Sequence, residues 1–180
     1  MKSKLEYLAV LYPKIIHLKK QGNKIVFTNG CFDLLHAGHI EVLQKAKKHG
    51  DILIVGLNDD TSIKQLKGKT RPIYSFDHRV AMLSELESVD YIAKIECLTV
   101  SGGKKQDPHE ACRHMIDGFK PDVLIKGDEY SLDECVGGKQ VIDQGGTLLT
   151  IKMIEDTSTT KTIHKCATLI MSELAEGLMA

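Results

Sequence analysis

Short apolar runs alternate along the chain with longer stretches in which apolar residues return every three or four positions. Leu5, Leu8, Tyr12, Ile15 and Ile16 recur at helical intervals, with Pro13 interrupting them and Gly22-Asn23 closing the segment. Residues 1–22 are therefore expected to form an N-terminal helical segment that packs on the body. A β-branched run, Lys24-Ile25-Val26-Phe27, opens a strand over about 24–29, and Ile40, Leu43 and Ala46 mark a helix over 39–48 that ends at Gly50. The pattern continues with a strand at 51–57 and a helix near 76–87 containing Val80, Leu83 and Leu86. Strands follow at 91–95, 123–125 and 147–151, with helices at 109–119 and 161–175.

Strands alternating with helices, the strands short and apolar throughout, predict an α/β fold: a Rossmann-like parallel sheet with helices on both faces. Ligands of such sheets bind beyond the carboxyl ends of the strands. The loops after residues 29, 57 and 127 fall on that edge. No repeat or low-complexity tract divides the chain, and residues 1–180 are expected to form one domain. A polar Gly- and Lys-rich stretch at 99–108 is expected to be a loop insertion.

Composition narrows the function classes. Hydrophobic residues at 42% and charged residues at 27% are ordinary for a globular chain that can bury a substantial core. Twenty-four basic residues balance twenty-four acidic ones, so overall charge gives no argument for nucleic acid or an anionic membrane as partner, and neither is expected. The N-terminus lacks the apolar core of a signal peptide, and no run of about 18 apolar residues occurs, so a cytoplasmic protein is expected. Five irregularly spaced cysteines argue for reduced thiols rather than a disulfide framework.

The candidate chemistry sits where the first long strand hands over to a helix, in Thr28-Asn29-Gly30-Cys31-Phe32-Asp33-Leu34-Leu35-His36-Ala37-Gly38-His39. A strand-to-helix junction presents unpaired backbone N–H groups and the positive end of a helix dipole, which suits a phosphate. His36 and His39 add donors from the side, and Ala37-Gly38 between them lets a ligand approach closely. Cys31 beside the same junction is a conceivable nucleophile if the helix end lowers its pKa. A zinc site would need further ligands, and no CxxC or HExxH accompanies the pair. Two other phosphate motifs fail. Gly68-Lys69-Thr70 ends like a P-loop, but Ile63 stands where that loop needs glycine, and no GxGxxG follows the first strand.

The string GCFDLLHAGH resembles the HxGH signature of the nucleotidyltransferase superfamily, and FTNGCFDLLHAGH is similar to the heptose 1-phosphate nucleotidyltransferases within it. Further matching stretches follow in the same order: residues 50–58, Leu66-Lys67-Gly68, Arg71-Pro72-Ile73, Arg79, residues 121–128, Val136-Gly137-Gly138 and Ser158-Thr159-Thr160. The likeness spans roughly residues 1 to 165. Glycerol-3-phosphate cytidylyltransferase shares the HxGH and STT elements, whereas the NGCFD opening and the KGD and VGG blocks look closer to the heptose branch.

The resemblance implies attack by a sugar 1-phosphate oxygen on the α-phosphorus of a nucleoside triphosphate, releasing pyrophosphate. It implies AMP transfer from ATP to D-glycero-β-D-manno-heptose 1-phosphate, giving ADP-heptose for a bacterial surface glycan. A cytidylyltransferase acting on another small phosphate and a non-catalytic nucleotide-sensing module are the rival readings. On the same basis His36, His39 and Lys67 are the catalytic candidates. Thr28, Asn29, Gly30, Cys31, Phe32, Gly38, Arg79, Lys126, Gly127, Asp128, Ser158, Thr159 and Thr160 are the nucleotide-binding candidates. Lys67 lies in a flexible-looking Leu-Lys-Gly segment that can close over the triphosphate, its plainer alternative being a solvated surface lysine; Arg79 could instead pair with Asp77 or Glu85, and the three hydroxyls could be N-caps, which is compatible with phosphate binding. Mg2+ is expected with the triphosphate, its protein ligand unassigned. A homodimer is the expected assembly, and a separate heptose kinase is expected to supply the acceptor.

Overall fold

Strand residues that alternate in sequence bury on opposite faces of one sheet. The computed structural model describes residues 3–97, 106–127, 135–152 and 158–177. Within them β1 is Leu5–Glu6, β2 Ile25–Gly30, β3 Ile52–Asn58, β4 Tyr91–Ile95, β5 Val123–Gly127 and β6 Thr147–Ile151. The helices are α1 Leu8–Lys20, α2 Ala37–Lys47, α3 Asp60–Lys67, α4 Phe76–Ser84, α5 Pro108–Phe119, α6 Gly138–Asp143 and α7 Thr159–Gly177. All strand pairs are parallel, in the order β1-β4-β3-β2-β5-β6.

Val26, Leu53, Val55, Leu57, Val123 and Ile125 pack on one face with Val42, Leu43 and Ala46 of α2 and Val80 and Leu83 of α4. Ile25, Phe27, Ile54 and Leu124 turn to the other face and meet Leu11 and Ile15 of α1, Met115, Ile116 and Phe119 of α5, and Val141 of α6. Both faces are thus covered, as the unbroken apolar strands require. Burying each of these side chains contributes about 1.5–3 kcal/mol.

The chain leaves β2 toward β3 and β4 on one side and returns on the other side with β5. The sheet's order therefore reverses between β2 and β5, and at such a switch point the loops diverge and open a crevice at the carboxyl edge. Gly56 of β3 lets the sheet close beside this point, since a Cβ there would lie 2.7 Å from Phe27 Cζ and 3.1 Å from Asn29 Cβ.

Several boundaries differ from the sequence expectation. Leu5 belongs to an edge strand, with the Lys4 carbonyl accepting from Ile92 N–H at 2.9 Å, and α1 starts after it. Pro13 lies inside α1, which continues because Leu11 and Ile15 anchor the helix in the core. α2 begins two residues earlier than its apolar spacing indicates, with His36 as its N-cap. The Leu-Lys-Gly segment expected to be flexible is the end of α3, a short helix capped by Asp59, whose carboxylate accepts from Ser62 N–H at 2.7 Å. α6 was not anticipated, and α7 starts at Thr159 rather than 161. Most of the 99–108 insertion lies outside the described residues.

Candidate active site

Beyond Gly30 the chain turns sharply, with Phe32 and Leu34 in left-handed backbone at φ 46° and 49°. Such conformations cost energy for residues with a Cβ and persist only where surrounding contacts enforce them. Asp33, between the two, supplies the contacts. Its side chain is 1% exposed and accepts from Arg71 at 2.6 and 2.7 Å, from Ile73 N–H at 2.9–3.0 Å and from Tyr74 N–H at 3.0 Å. Burial opposes its ionisation, but those backbone amides and the guanidinium outweigh it and hold the carboxyl below its usual range. The Asp33 carbonyl also accepts the Thr159 hydroxyl at 2.6 Å, which fixes the root of α7 against this turn.

The turn delivers His36 in extended backbone at the start of α2. His39 Nδ1 accepts from the His36 backbone N–H at 3.4 Å, satisfying one orphan donor of the helix end. The accepting nitrogen carries no proton, so the proton of neutral His39 resides on Nε2 as a donor. The two rings stack with centroids 3.7 Å apart at 24°, and Phe32 packs 5.2 Å from His39. Burial and the neighbouring His36 lower the His39 pKa to about 4, and burial lowers that of His36. Both imidazoles are thus uncharged hydrogen-bonding groups at neutral pH.

These residues line a cleft of about 620 Å³ at the switch point, together with Thr28, Asn29, Gly30, Cys31, Lys67, Lys126, Gly127, Ser158, Thr159 and Thr160. Thr28 donates its hydroxyl to the Ile125 carbonyl at 3.0 Å and so ties β2 to β5 beneath the cleft. Lys126 bridges the same two strands by donating to Asn29 Oδ1, and burial lowers its pKa. Lys67 ends α3 and is exposed at the rim. Ser158 caps α7, its Oγ accepting from Lys161 N–H at 3.1 Å, so capping and cleft lining coincide as the sequence suggested.

Not every expected residue faces the cleft. Arg79 is fully buried behind it and pairs with Asp60 at 2.7 Å, not with Asp77 or Glu85. Its remaining bonds go to the carbonyls of Cys31 and Asn58, both at 2.8 Å, and of Tyr74 at 3.0 Å. Its place is that of a brace between the turn, β3 and α4, rather than a phosphate holder. Gly38 is buried in the first turn of α2 and does not line the cleft. Burial pushes the Cys31 thiol up, against a lowered nucleophilic pKa. Asp128 lies outside the described residues.

Arg71, Asn58 and His109 also line the cleft without having been assigned roles from sequence. Arg71 had a signal in its proximity to Lys67, but its carboxylate partner is 38 positions away in sequence. His109 enters from the first turn of α5, which no local pattern relates to the HxGH turn. No group of three or more His, Cys, Asp or Glu among the described residues could hold a metal ion. The Asp33 carboxylate of the cleft is already occupied by Arg71 and two amides, so these residues do not form a protein cage for magnesium. No helix among them is long and apolar enough to cross a membrane.

Comparison with known proteins agrees with this geometry. The chain is 42% identical over 147 residues to bifunctional protein HldE of Pseudomonas putida, covering 82% of this chain and 28% of that protein. The bifunctional protein HldE of Geobacter sulfurreducens is 39% identical over 163 residues, 91% of this chain and 31% of the relative. The chain thus spans about three tenths of the length of these relatives. A solved lipopolysaccharide core biosynthesis protein from Thermoplasma volcanium superposes with a TM-score of 0.54 at 28% identity, over 76% of this chain and all of that one. Pantoate-beta-alanine ligase from Francisella tularensis, crystallised with beta-gamma ATP and beta-alanine, shares the fold with a TM-score of 0.57 at 18% identity, over 86% and 69% of the two chains. The cytidylyltransferase-like family model matches residues 27–165, from within β2, through both histidines and the switch-point strands, to the first turns of α7. The chain belongs to the cytidylyltransferase-like family.

Proposed function

We propose that the chain is a nucleotidyltransferase that moves AMP from ATP to D-glycero-β-D-manno-heptose 1-phosphate, releasing pyrophosphate and forming ADP-heptose. The observation that carries the reading is the stacked His36–His39 pair at the α2 N-terminus, with Nε2–H of His39 as a donor inside the switch-point cleft.

A sugar 1-phosphate is already ionised, so its attack on the α-phosphorus needs no strong general base. Negative charge grows on the α-phosphate oxygens as the new bond forms. Neutral imidazole N–H groups and the end of α2 supply fixed donors for that charge. Lys67 on the rim is suited to the outer phosphates, and Ser158, Thr159 and Thr160 present hydroxyls at a second helix start across the cleft. Magnesium that accompanies the triphosphate would offset the charge of its phosphates, and the described residues include no cluster of three or more His, Cys, Asp or Glu that would cage it. The heptose assignment draws on the FTNGCFD, KGD and VGG segments, and the Thermoplasma likeness favours the same glycan context.

The test is pyrophosphate release over ATP, CTP, GTP and UTP, each paired with heptose 1-phosphate and with glycerol 3-phosphate. ATP with heptose 1-phosphate is expected to be fastest, because contacts built for sugar hydroxyls go unmet with a smaller acceptor. CTP with glycerol 3-phosphate as the best pair would overturn the branch. No release with any pair would favour a nucleotide-sensing module.

A further inference from the structure

We propose that Lys126 and Asn58 form the seat of the acceptor, on the opposite face of the sheet from the imidazole pair, with Lys126 on the sugar phosphate and Asn58 on a sugar hydroxyl. The inference rests on the transferase reading above and adds which wall of the cleft each substrate takes. Side chains two residues apart on a strand share a face. Phe27, Ile54 and Leu124 pack under α5 and α6, so Asn29, Asn58 and Lys126, further along the same strands, project on that side at the carboxyl edge. Register agrees, since Asn58 stands opposite Ile95, a member of the same cluster. Pro108, His109 and Cys112 at the start of α5 complete this wall. His36 and His39 belong instead to the start of α2, whose Val42, Leu43 and Ala46 cover the other face.

Both residues are buried and short of partners. Lys126 is 8% exposed, Asn29 Oδ1 is its one hydrogen-bond acceptor, and no carboxylate among the described residues lies within ion-pair distance of it. A buried ammonium without a counter-ion is costly, and burial accordingly lowers its pKa. A phosphate supplies the missing charge and takes up the N–H donors that Asn29 leaves free. Asn58 is 4% exposed and lines the cleft. Its carbonyl accepts from Arg79 at 2.8 Å, but its side-chain amide has no hydrogen-bond partner among the described residues. An amide offers donors and an acceptor together, which a hydroxyl satisfies in both senses and a phosphate in only one. The geometry of displacement places the anion. An acceptor phosphate oxygen forms the new bond to the α-phosphorus while the bond to the departing pyrophosphate oxygen breaks, and the attacking and leaving oxygens lie roughly in line. With the triphosphate on the donors of α2 and α7, the attacking phosphate enters from the wall that carries Lys126.

Isothermal titration calorimetry of the full chain with magnesium, heptose 1-phosphate and the unreactive α,β-methylene analogue of ATP tests the assignment without turnover. Lys126→Met is expected to raise the dissociation constant of heptose 1-phosphate about 30-fold or more, the scale for a hydrogen bond to a charged group, and Asn58→Ala about tenfold. Each is expected to hold the ATP analogue within about twofold of the parent, which also shows the variant to be folded. Lys126→Arg, which keeps the charge, is expected to bind heptose 1-phosphate more tightly than Lys126→Met. Glycerol 3-phosphate bound in place of the heptose, with the same dependence on Lys126, would support the seat and overturn only the heptose assignment. A parent that binds neither phosphate, a Lys126→Met chain with unchanged acceptor affinity, or losses that fall on the ATP analogue would overturn the inference.

Discussion

Replacing Arg79 by methionine separates the two roles open to this residue. Methionine keeps much of the buried volume and removes every donor. The Cys31 and Asn58 carbonyls each lose a bond of 2.8 Å to a fully buried guanidinium. An unmet buried acceptor costs about 1–3 kcal/mol. The Asp60 side chain is 39% exposed, so water takes over its charge at small cost, and Tyr74, 41% exposed, rehydrates more easily. A loss of about 3 kcal/mol results, which for a chain of 180 residues lowers Tm by roughly 6–12 °C. Thermal unfolding monitored by circular dichroism, with and without ATP, reads both consequences. The nucleotide-free Tm is expected to fall by that amount while the increment added by ATP survives, because the guanidinium lies outside the cleft. A nucleotide-free Tm within about 1 °C of the parent, together with loss of the ATP increment, would refute the bracing role and return Arg79 to phosphate binding.

The other predictions concern the cleft itself. His36→Ala and His39→Ala are each expected to lower kcat by about 100-fold or more with the fold intact, the scale for one transition-state donor, as steady-state pyrophosphate release measures. Lys67→Ala is expected to raise KM for the triphosphate and slow turnover while the acceptor KM moves less; an unchanged nucleotide dependence would leave Lys67 a solvated lysine. The His39 pKa of about 4 in the folded chain lies below its ordinary 6.5, so the unfolded chain binds more protons between these values. The stabilising contribution is complete above pH 6.5 and is lost as pH falls toward 4. Urea unfolding at pH 7.5 and pH 5 should therefore show the parent losing roughly 2 kcal/mol more than His39→Asn.

The sheet was legible in the sequence because buried parallel strands leave apolar runs, and residues 25–27, 52–57 and 123–125 are such runs at the starts of β2, β3 and β5. The two-residue edge strand Leu5–Glu6 was not, since its pairing with β4 is a contact 87 positions away that leaves no local period. α3 was hidden for a related reason: Ile63 is its buried apolar residue, and capping by Asp59 gives it its start. The HxGH turn was recognisable as a block because strand, turn and helix start are contiguous in the chain. The supports of that turn were not. Arg71 and Thr159 reach Asp33 from 38 and 126 residues away, and Arg79 resembles a surface cation until its four acceptors are in view.

The central claim is that the imidazole pair drives transfer of a nucleotide onto a sugar phosphate. Phosphorus-31 NMR, followed in real time with ATP, magnesium and heptose 1-phosphate, tests it most directly by running the parent and His39→Ala side by side. In the parent, the triphosphate resonances are expected to give way to free pyrophosphate and the coupled pair of a sugar nucleoside diphosphate, with the variant about 100-fold slower. ATP that remains intact with the parent, or equal rates for the two proteins, would contradict the account.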